Sequence, residues 1–104
     1  MVQNKIYSLL GLAQRGGHAV SGGFMVENSV KSGKTCLVII ATDASENTRK
    51  KFSDMCAYRK IPIIVFGTGE ELGHAIGKEM RVSIAVTDHG LAGAILKQMD
   101  DSTK

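Results

Sequence analysis

The chain has 104 residues with ordinary globular usage of hydrophobic residues (43%) and charged residues (22%) and one proline, which excludes a disordered or low-complexity protein and predicts one domain. The formal net charge is +3, and residues 1–52 hold seven Lys or Arg against three Asp or Glu. This basic bias permits an acidic partner such as nucleic acid without requiring one. The two cysteines lie in apolar surroundings, which predicts reduced thiols in a cytoplasmic protein. The sequence shows no signal-peptide pattern and no apolar run long enough for a membrane helix, so we expect no membrane segment.

The first half of the chain predicts two helices joined by a very short strand. Residues 4–16 place apolar side chains on one helical face and end at Gly16-Gly17. The strand follows at residues 18–20. Ser21 is the predicted N-cap of a second helix over about 22–32, which ends at Gly33.

The rest of the chain alternates between strands and helices. Two continuous apolar runs, "TCLVIIAT" and "IPIIVF", predict strands buried on both faces, separated by a helix over residues 43–60. A short helix, "GEELGHAIG", a strand, "RVSIAVTD", and a closing helix, "HGLAGAILKQM", complete the order. We expect a three-layer α/β/α sandwich with a central mixed sheet of about four strands. We expect this sandwich to form a single domain, 1–104, with a short flexible tail at residues 100–104.

Two glycine-containing segments are similar to phosphate-binding loops but lack the full pattern. "SGKT" at residues 32–35 has Asn28 where the first glycine of the motif belongs, and it ends a helix instead of opening one. "GTGEELG" at residues 67–73 has Leu72 in place of the third glycine. Glu70 and Glu71 at its helix start would repel a pyrophosphate. A nucleotide-dependent enzyme is therefore a less favoured alternative than the two non-enzymatic functions described below.

The residues that could serve catalysis or bind a metal are scattered. His18, His74 and His89 have no metal-ligand spacing with each other or with the cysteines. Cys36 begins a predicted buried strand, which is a poor place for a nucleophile. We therefore expect no enzyme, no cofactor and no metal site.

The adjacent glycines Gly22 and Gly23 open the second predicted helix. Glycines there let another molecule approach bare N–H groups, and the helix dipole favours an anion. Asn28, further along the helix, can read a base edge, and Lys31 can reach a phosphate. An ordinary solvated helix face explains the same residues equally well.

The segment "KEMR" connects the fourth predicted helix to the last strand. Lys78 and Arg81 bracket Glu79 and Met80. An apolar side chain beside two cations suits stacking of an unpaired base with phosphates alongside. A plain connecting loop is the equal alternative.

The order of these segments resembles the kink-turn RNA-binding ribosomal protein family, the L7Ae and L30e group. The similarity covers about residues 4–97, and its most specific pieces are "LVIIATDAS", "IPIIVFGTGEELGHAIGK" and "VSIAV". The N-terminal "LLGLAQRGGHAVSG" is most similar to the bacterial, ribosomal-protein-like members.

The resemblance implies an α/β/α sandwich that binds kink-turns, which are sharply bent RNA helices with tandem sheared G·A pairs and a flipped-out nucleotide. It implies contacts through the start of the second helix, the loop after the second strand and the loop before the last strand. The matching positions are Gly22, Gly23, Phe24, Met25, Asn28 and Lys31 in the first, Thr42 and Asp43 in the second, and Lys78, Glu79, Met80, Arg81 and Val82 in the third.

One pair departs from the family pattern. Many members have a polar pair, Asn-Glu or Lys-Gln, where this chain has Phe24-Met25. The resemblance implies that the polar pair reads the edges of the G·A pairs. In this chain, either Asn28 and backbone amides take over that reading, or affinity and specificity for the RNA are reduced. The leading hypothesis is a monomeric RNA-binding protein that stabilises kink-turns in the ribosome or another structured RNA. The alternative is a protein-interaction adaptor on the same fold, because exposed apolar pairs suit protein contacts.

Overall fold

The computed structural model describes residues 5–102, and its helices and strands follow the predicted order. The helices are α1 (Lys5–Arg15), α2 (Gly23–Lys31), α3 (Glu46–Arg59), α4 (Gly69–Ala75) and α5 (His89–Ser102). The strands are β1 (Ala19–Ser21), β2 (Leu37–Ile40), β3 (Ile63–Val65) and β4 (Ser83–Val86). The predicted alternation of helices and strands is therefore confirmed.

The strands form one mixed sheet in the order β1-β4-β2-β3. β4 pairs antiparallel with both β1 and β2, and β2 pairs parallel with β3. The two central strands, β2 and β4, are buried at every position. The continuous apolar sequence predicts this burial for β2, whereas β4 was predicted only to be a strand. β3 lies at the edge of the sheet, so the prediction that it is a fully buried strand is wrong: Val65 is 46% exposed. An apolar run indicates a strand, but pairing decides whether that strand is central.

Alternating residues of β2 and β4 supply two separate cores, one on each face of the sheet. On one face, Ile39 and Ile84 pack with buried residues of α1, α4 and α5. On the other face, Val38 and Ala85 pack with α2 and α3, including Phe52. The molecule is thus the predicted α/β/α sandwich, with α2 and α3 forming one helical layer.

The start of α2 differs from the prediction. Ser21 is the last residue of β1, where it pairs with Ile84, and the N-cap is Gly22. Gly22 has φ 92° and ψ 145°, a backbone conformation that residues with a Cβ rarely adopt. Its N–H donates to the carbonyl of Ser83 at 3.1 Å. The sheet extends one residue further than the short apolar strand predicts, and it takes Ser21 away from the capping position.

The closing helix continues beyond its predicted end. α5 extends to Ser102 and so contains the first three residues of the segment 100–104 that was expected to form a flexible tail. Residues 103–104 lie outside the described residues. In the part of the chain that the structure describes, no helix has both the length and the apolar character required to cross a membrane.

Candidate nucleic-acid interface

The N-terminus of α2 is open to solvent. The first intrahelical bond joins the N–H of Val26 to the carbonyl of Gly22 at 2.9 Å, so the N–H groups of the three preceding residues have no acceptor within the helix. Gly22 contributes no side-chain cap. A Cβ built on Gly22 or Gly23 would meet no atom within 4 Å. The positive end of the helix dipole is therefore accessible to an anion.

The predicted residues of α2 share its solvent face. Val26 and Val30 point into the core, whereas Phe24, Asn28 and Lys31 occur at i, i+4 and i+7 and so lie on the opposite side. Phe24 is 75% exposed and Met25 is 52% exposed. Exposed apolar side chains thus flank the first turn of the helix.

The loop between α4 and β4 folds back onto α4 because two glycines allow a close approach. The N–H of Arg81 donates to the carbonyl of Gly69 at 2.9 Å, and the N–H of Lys78 donates to the carbonyl of Gly73 at 2.8 Å. A Cβ on Gly69 would lie 3.0 Å from Cγ of Met80, so the Met80 side chain covers this glycine. Met80 is nevertheless 58% exposed, which leaves much of it free to contact another molecule.

Arg81 connects this loop to the start of α2. Its Nε donates to Oγ of Ser21 at 3.1 Å, and one of its terminal nitrogens donates to the carbonyl of Met80 at 2.9 Å. Val82 packs its side chain partly against both cores, and its carbonyl accepts from Ala41 at 2.9 Å. The first and third predicted segments are therefore adjacent, and Arg81 holds them together.

Thr42 and Asp43 are tied to the loop that precedes α4. The N–H and the hydroxyl of Thr42 both donate to the carbonyl of Gly67, at 2.7 Å and 3.0 Å. Asp43 Oδ1 accepts the N–H of Gly69 at 2.9 Å. Since the carbonyl of Gly69 accepts from Arg81, hydrogen bonds connect the second predicted segment to the third.

The N-terminus of α4, in contrast, is closed by its own side chains. Thr68 accepts the N–H of Glu71 through its hydroxyl, and the Glu71 carboxylate accepts the N–H of Thr68. The Thr68 N–H and the Tyr7 hydroxyl bonded to this carboxylate lower the pKa of Glu71. Burial and that carboxylate raise the pKa of Tyr7 to about 12. A capped helix start with an ionised carboxylate is unsuited to a pyrophosphate, in agreement with the sequence pattern of "GTGEELG".

The two thiols are not activated. Burial raises the pKa of Cys36, with a smaller contribution from the Asp88 carboxylate, and burial raises the pKa of Cys56. Neither is therefore a good thiolate nucleophile. Within residues 5–102, no three His, Cys, Asp or Glu residues group so that they could hold a metal ion.

Glu27 links α2 to α3. One carboxylate oxygen lies 2.9 Å from Nζ of Lys31, and the other lies 2.6 Å from Nζ of Lys51. Hydrogen bonds from Lys51 and then Lys31 lower the pKa of Glu27 to about 2. Lys31, which was expected to be available to a phosphate, already has a carboxylate partner while its side chain is 56% exposed.

We expect Glu27→Gln to destabilise the protein in a pH-dependent way. A pKa lowered from 4.5 to about 2 means that the carboxylate stabilises the fold above about pH 5 and that this contribution is lost between pH 4.5 and 2. Urea unfolding at several pH values should show the largest difference from wild type near neutrality and a shrinking one in acid. Glu79→Gln, at an exposed loop carboxylate, is the control. An equal loss of stability at all pH values would contradict the expected linkage.

Three residues that organise this surface were not identified from the sequence. Ser21 was assigned to the helix cap, and Gly69 and Gly73 were treated only as parts of a motif. A signal existed for Gly73, because glycine inside a short helix costs stability unless a neighbour requires the space. For Ser21 the sequence contains no signal, since its partner Arg81 is 60 residues away.

Comparison with known proteins adds an independent result. The "Ribosomal protein L7Ae/L30e/S12e/Gadd45 family" matches residues 4–95. RNA-binding protein YlxQ of Bacillus subtilis (strain 168) is 42% identical over 94 residues, which cover 90% of this chain and 94% of the relative. RNA-binding protein YlxQ of Enterococcus faecium is 33% identical over 90 residues, 86% of each chain. The family and these relatives are RNA-binding proteins and not enzymes, as the sequence analysis expects.

Two solved structures are similar to this chain. A Bacillus halodurans protein of unknown function superimposes with a TM-score of 0.91 and 40% identity, over 94% of this chain and 99% of that one. The 15.5 kD RNA binding protein of Giardia lamblia has a TM-score of 0.79 and 18% identity, over 97% and 90% of the two chains. At that identity the second similarity concerns the fold alone.

Proposed function

Because this chain belongs to the ribosomal protein L7Ae/L30e/S12e/Gadd45 family, we propose that it is an RNA-binding protein that recognises and stabilises kink-turns in structured RNA. One observation carries the proposal. The three segments that the family resemblance assigns to RNA are connected in this fold by hydrogen bonds through Ser21, Gly69 and Arg81. They present an open helix N-terminus beside an exposed methionine and basic side chains.

The bound RNA places a backbone phosphate at the N-terminus of α2. There the free N–H groups of Gly23 and its neighbours donate to the phosphate oxygens. Met80, held over Gly69, offers an apolar surface to the flipped-out base, and Lys78 lies in the same loop for a nearby phosphate. The protein binds the bent RNA more tightly than the extended form, and so shifts the RNA population towards the bent form.

Phe24 and Met25 change how the G·A pairs are read. Their side chains cannot exchange hydrogen bonds with base edges, whereas Asn28, one turn along the same helix face, can both donate and accept. Base reading therefore falls to Asn28 and backbone N–H groups, and most of the recognition is of RNA shape. We place the protein in the cytoplasm, as a monomer, on ribosomal or another structured RNA.

A gel-shift titration tests the proposal. One RNA is a short kink-turn, and the control has Watson–Crick pairs in place of the tandem G·A pairs. We expect tight binding to the kink-turn alone, weakened by salt because phosphate contacts release counterions. Equal, weak and salt-sensitive binding to both RNAs would contradict kink-turn recognition and indicate a generic basic surface.

A second candidate is a protein-interaction adaptor on the same fold. The observation in its favour is that Phe24, Met25 and Met80 are 75%, 52% and 58% exposed, and exposed apolar groups suit protein contacts. This candidate predicts no kink-turn preference, self-association on a sizing column and partner binding that is insensitive to salt. It gains support only if the gel shift fails.

A further inference from the structure

The two helical layers of the sandwich differ in charge. α2 and α3 together carry five Lys or Arg against three Asp or Glu, whereas α1, α4 and α5 together carry three against four. α2 and α3 form one helical layer, and α1, α4 and α5 form the opposite layer. An RNA that leaves the candidate interface therefore meets a more favourable potential across α2 and α3 than across the opposite layer.

The solvent face of α2 leads from the helix N-terminus to α3. Phe24, Glu27, Asn28 and Lys31 occur at i, i+3, i+4 and i+7, so they form one stripe. With a rise of about 1.5 Å per residue, Lys31 is about 12 Å along the axis from Gly23. This face of α2 is connected to α3, because Glu27 also binds the ammonium group of Lys51 from α3.

This bridge brings two cations from different helices to one carboxylate. Lys31 and Lys51 side chains are 56% and 51% exposed, and the trio keeps a net charge of +1. Each ammonium group has three donors, of which the carboxylate requires one. Lys50, the preceding residue in α3, differs: its ammonium binds Asp54 of the same helix at 3.3 Å, and among the described residues no ion pair joins it to α2.

We propose that Lys51 of α3 is a further RNA contact. Together with Lys31 it receives phosphates of the RNA segment that continues from the α2 N-terminus across α2 onto α3. The inference rests on the proposed function, since it extends the same RNA interface. It adds a residue that the family resemblance does not assign, and it places an RNA strand on the α2–α3 layer.

The test compares Lys51→Gln with Lys50→Gln in titrations of kink-turn RNA over a range of salt concentrations. Both variants lose one charge and one ion pair: Lys51 loses its pair with Glu27 of α2, and Lys50 loses its pair with Asp54 of α3. We expect Lys51→Gln to weaken binding several-fold and to lower the slope of log affinity against log salt by about 0.7–0.9, the effect of one phosphate contact. Lys50→Gln should keep the wild-type slope. Equal slopes in the two variants would overturn the proposal.

A second comparison separates RNA contact from a merely structural clamp between α2 and α3. Lys51→Gln is measured in the Glu27→Gln background, where the ion pair is already absent and no unpaired carboxylate is created. The lower salt slope must persist there relative to Glu27→Gln alone. If Lys51→Gln changes only the melting temperature and leaves the slope at its background value, Lys51 is a structural residue and the inference fails.

The length of the RNA gives a readout that is independent of stability. Shortening one arm of the kink-turn and then the other should remove the Lys51→Gln effect for one arm only, because the contact lies away from the α2 N-terminus. An effect that survives both truncations would contradict the placement on α2–α3. If the wild-type protein shows no preference for the kink-turn, the proposed function itself is refuted. If the wild type prefers the kink-turn but Lys51→Gln and Lys50→Gln behave alike, only the Lys51 contact is refuted.

Discussion

Gly23→Glu is expected to weaken binding to kink-turn RNA by about tenfold or more, a change of about 1.4 kcal/mol in binding free energy. Gly23 is the first residue of α2, where the free N–H groups and the helix dipole attract an anion. A carboxylate at this position places a negative charge beside the proposed phosphate and competes for the same donors. The measurement is the gel-shift titration at fixed salt.

The same substitution is expected to stabilise the folded protein. A Cβ at Gly23 meets no atom within 4 Å. Replacing glycine in a helix by glutamate gains about 0.5–1 kcal/mol in helix propensity, and a carboxylate in the first turn adds about 0.3–1 kcal/mol through the dipole. Thermal or urea unfolding should show this gain. Higher stability together with weaker RNA binding would exclude misfolding as the cause.

Gly23→Gln is the matched control, because it has nearly the same shape without the charge. It should keep most of the RNA affinity and gain stability from helix propensity alone. Unchanged affinity in folded Gly23→Glu would remove the α2 N-terminus from the interface. Gly22 is unsuitable for this test, since its φ of 92° makes any side chain there strained.

Gly73→Ala is expected to destabilise the protein by about 1–3 kcal/mol or more, the range found for overpacked sites. A Cβ at this position would lie 1.8 Å from the carbonyl oxygen and 2.6 Å from the carbonyl carbon of Glu79. Backbone atoms cannot rotate away as a flexible side chain does, so the loop that carries Met80 must move. For a domain of this size, 1 kcal/mol corresponds to about 4–8 °C in melting temperature.

Gly93→Ala is the control for Gly73→Ala. Gly93 lies within α5, and a Cβ there meets nothing within 4 Å. Alanine should therefore stabilise the helix by up to about 1 kcal/mol. The two substitutions should move the melting temperature in opposite directions, and only Gly73→Ala should lower RNA affinity. A Gly73→Ala protein as stable as wild type would show that the α4–β4 loop does not depend on the close approach.

The sequence by itself determined the order of elements and the layered architecture, because these depend on local periodicity. Apolar residues at helical spacing define α1 and α5, and the continuous apolar runs define β2 and β3. Family resemblance also identified the three segments proposed to contact RNA, including Gly22-Gly23 and Arg81. That resemblance implied no contact from α3.

The tertiary structure alone decided the features that depend on distant partners. Sheet pairing placed Ser21 in β1 and left β3 at an edge. Packing of α2 on α3 brought Lys51 to Glu27, and folding of the chain brought Arg81 to Ser21. Such contacts join residues 24 and 60 positions apart, and local propensity contains no information about them. The physical reason is that a helix or strand forms from its own sequence pattern, whereas the neighbours of its exposed side chains are chosen by the fold.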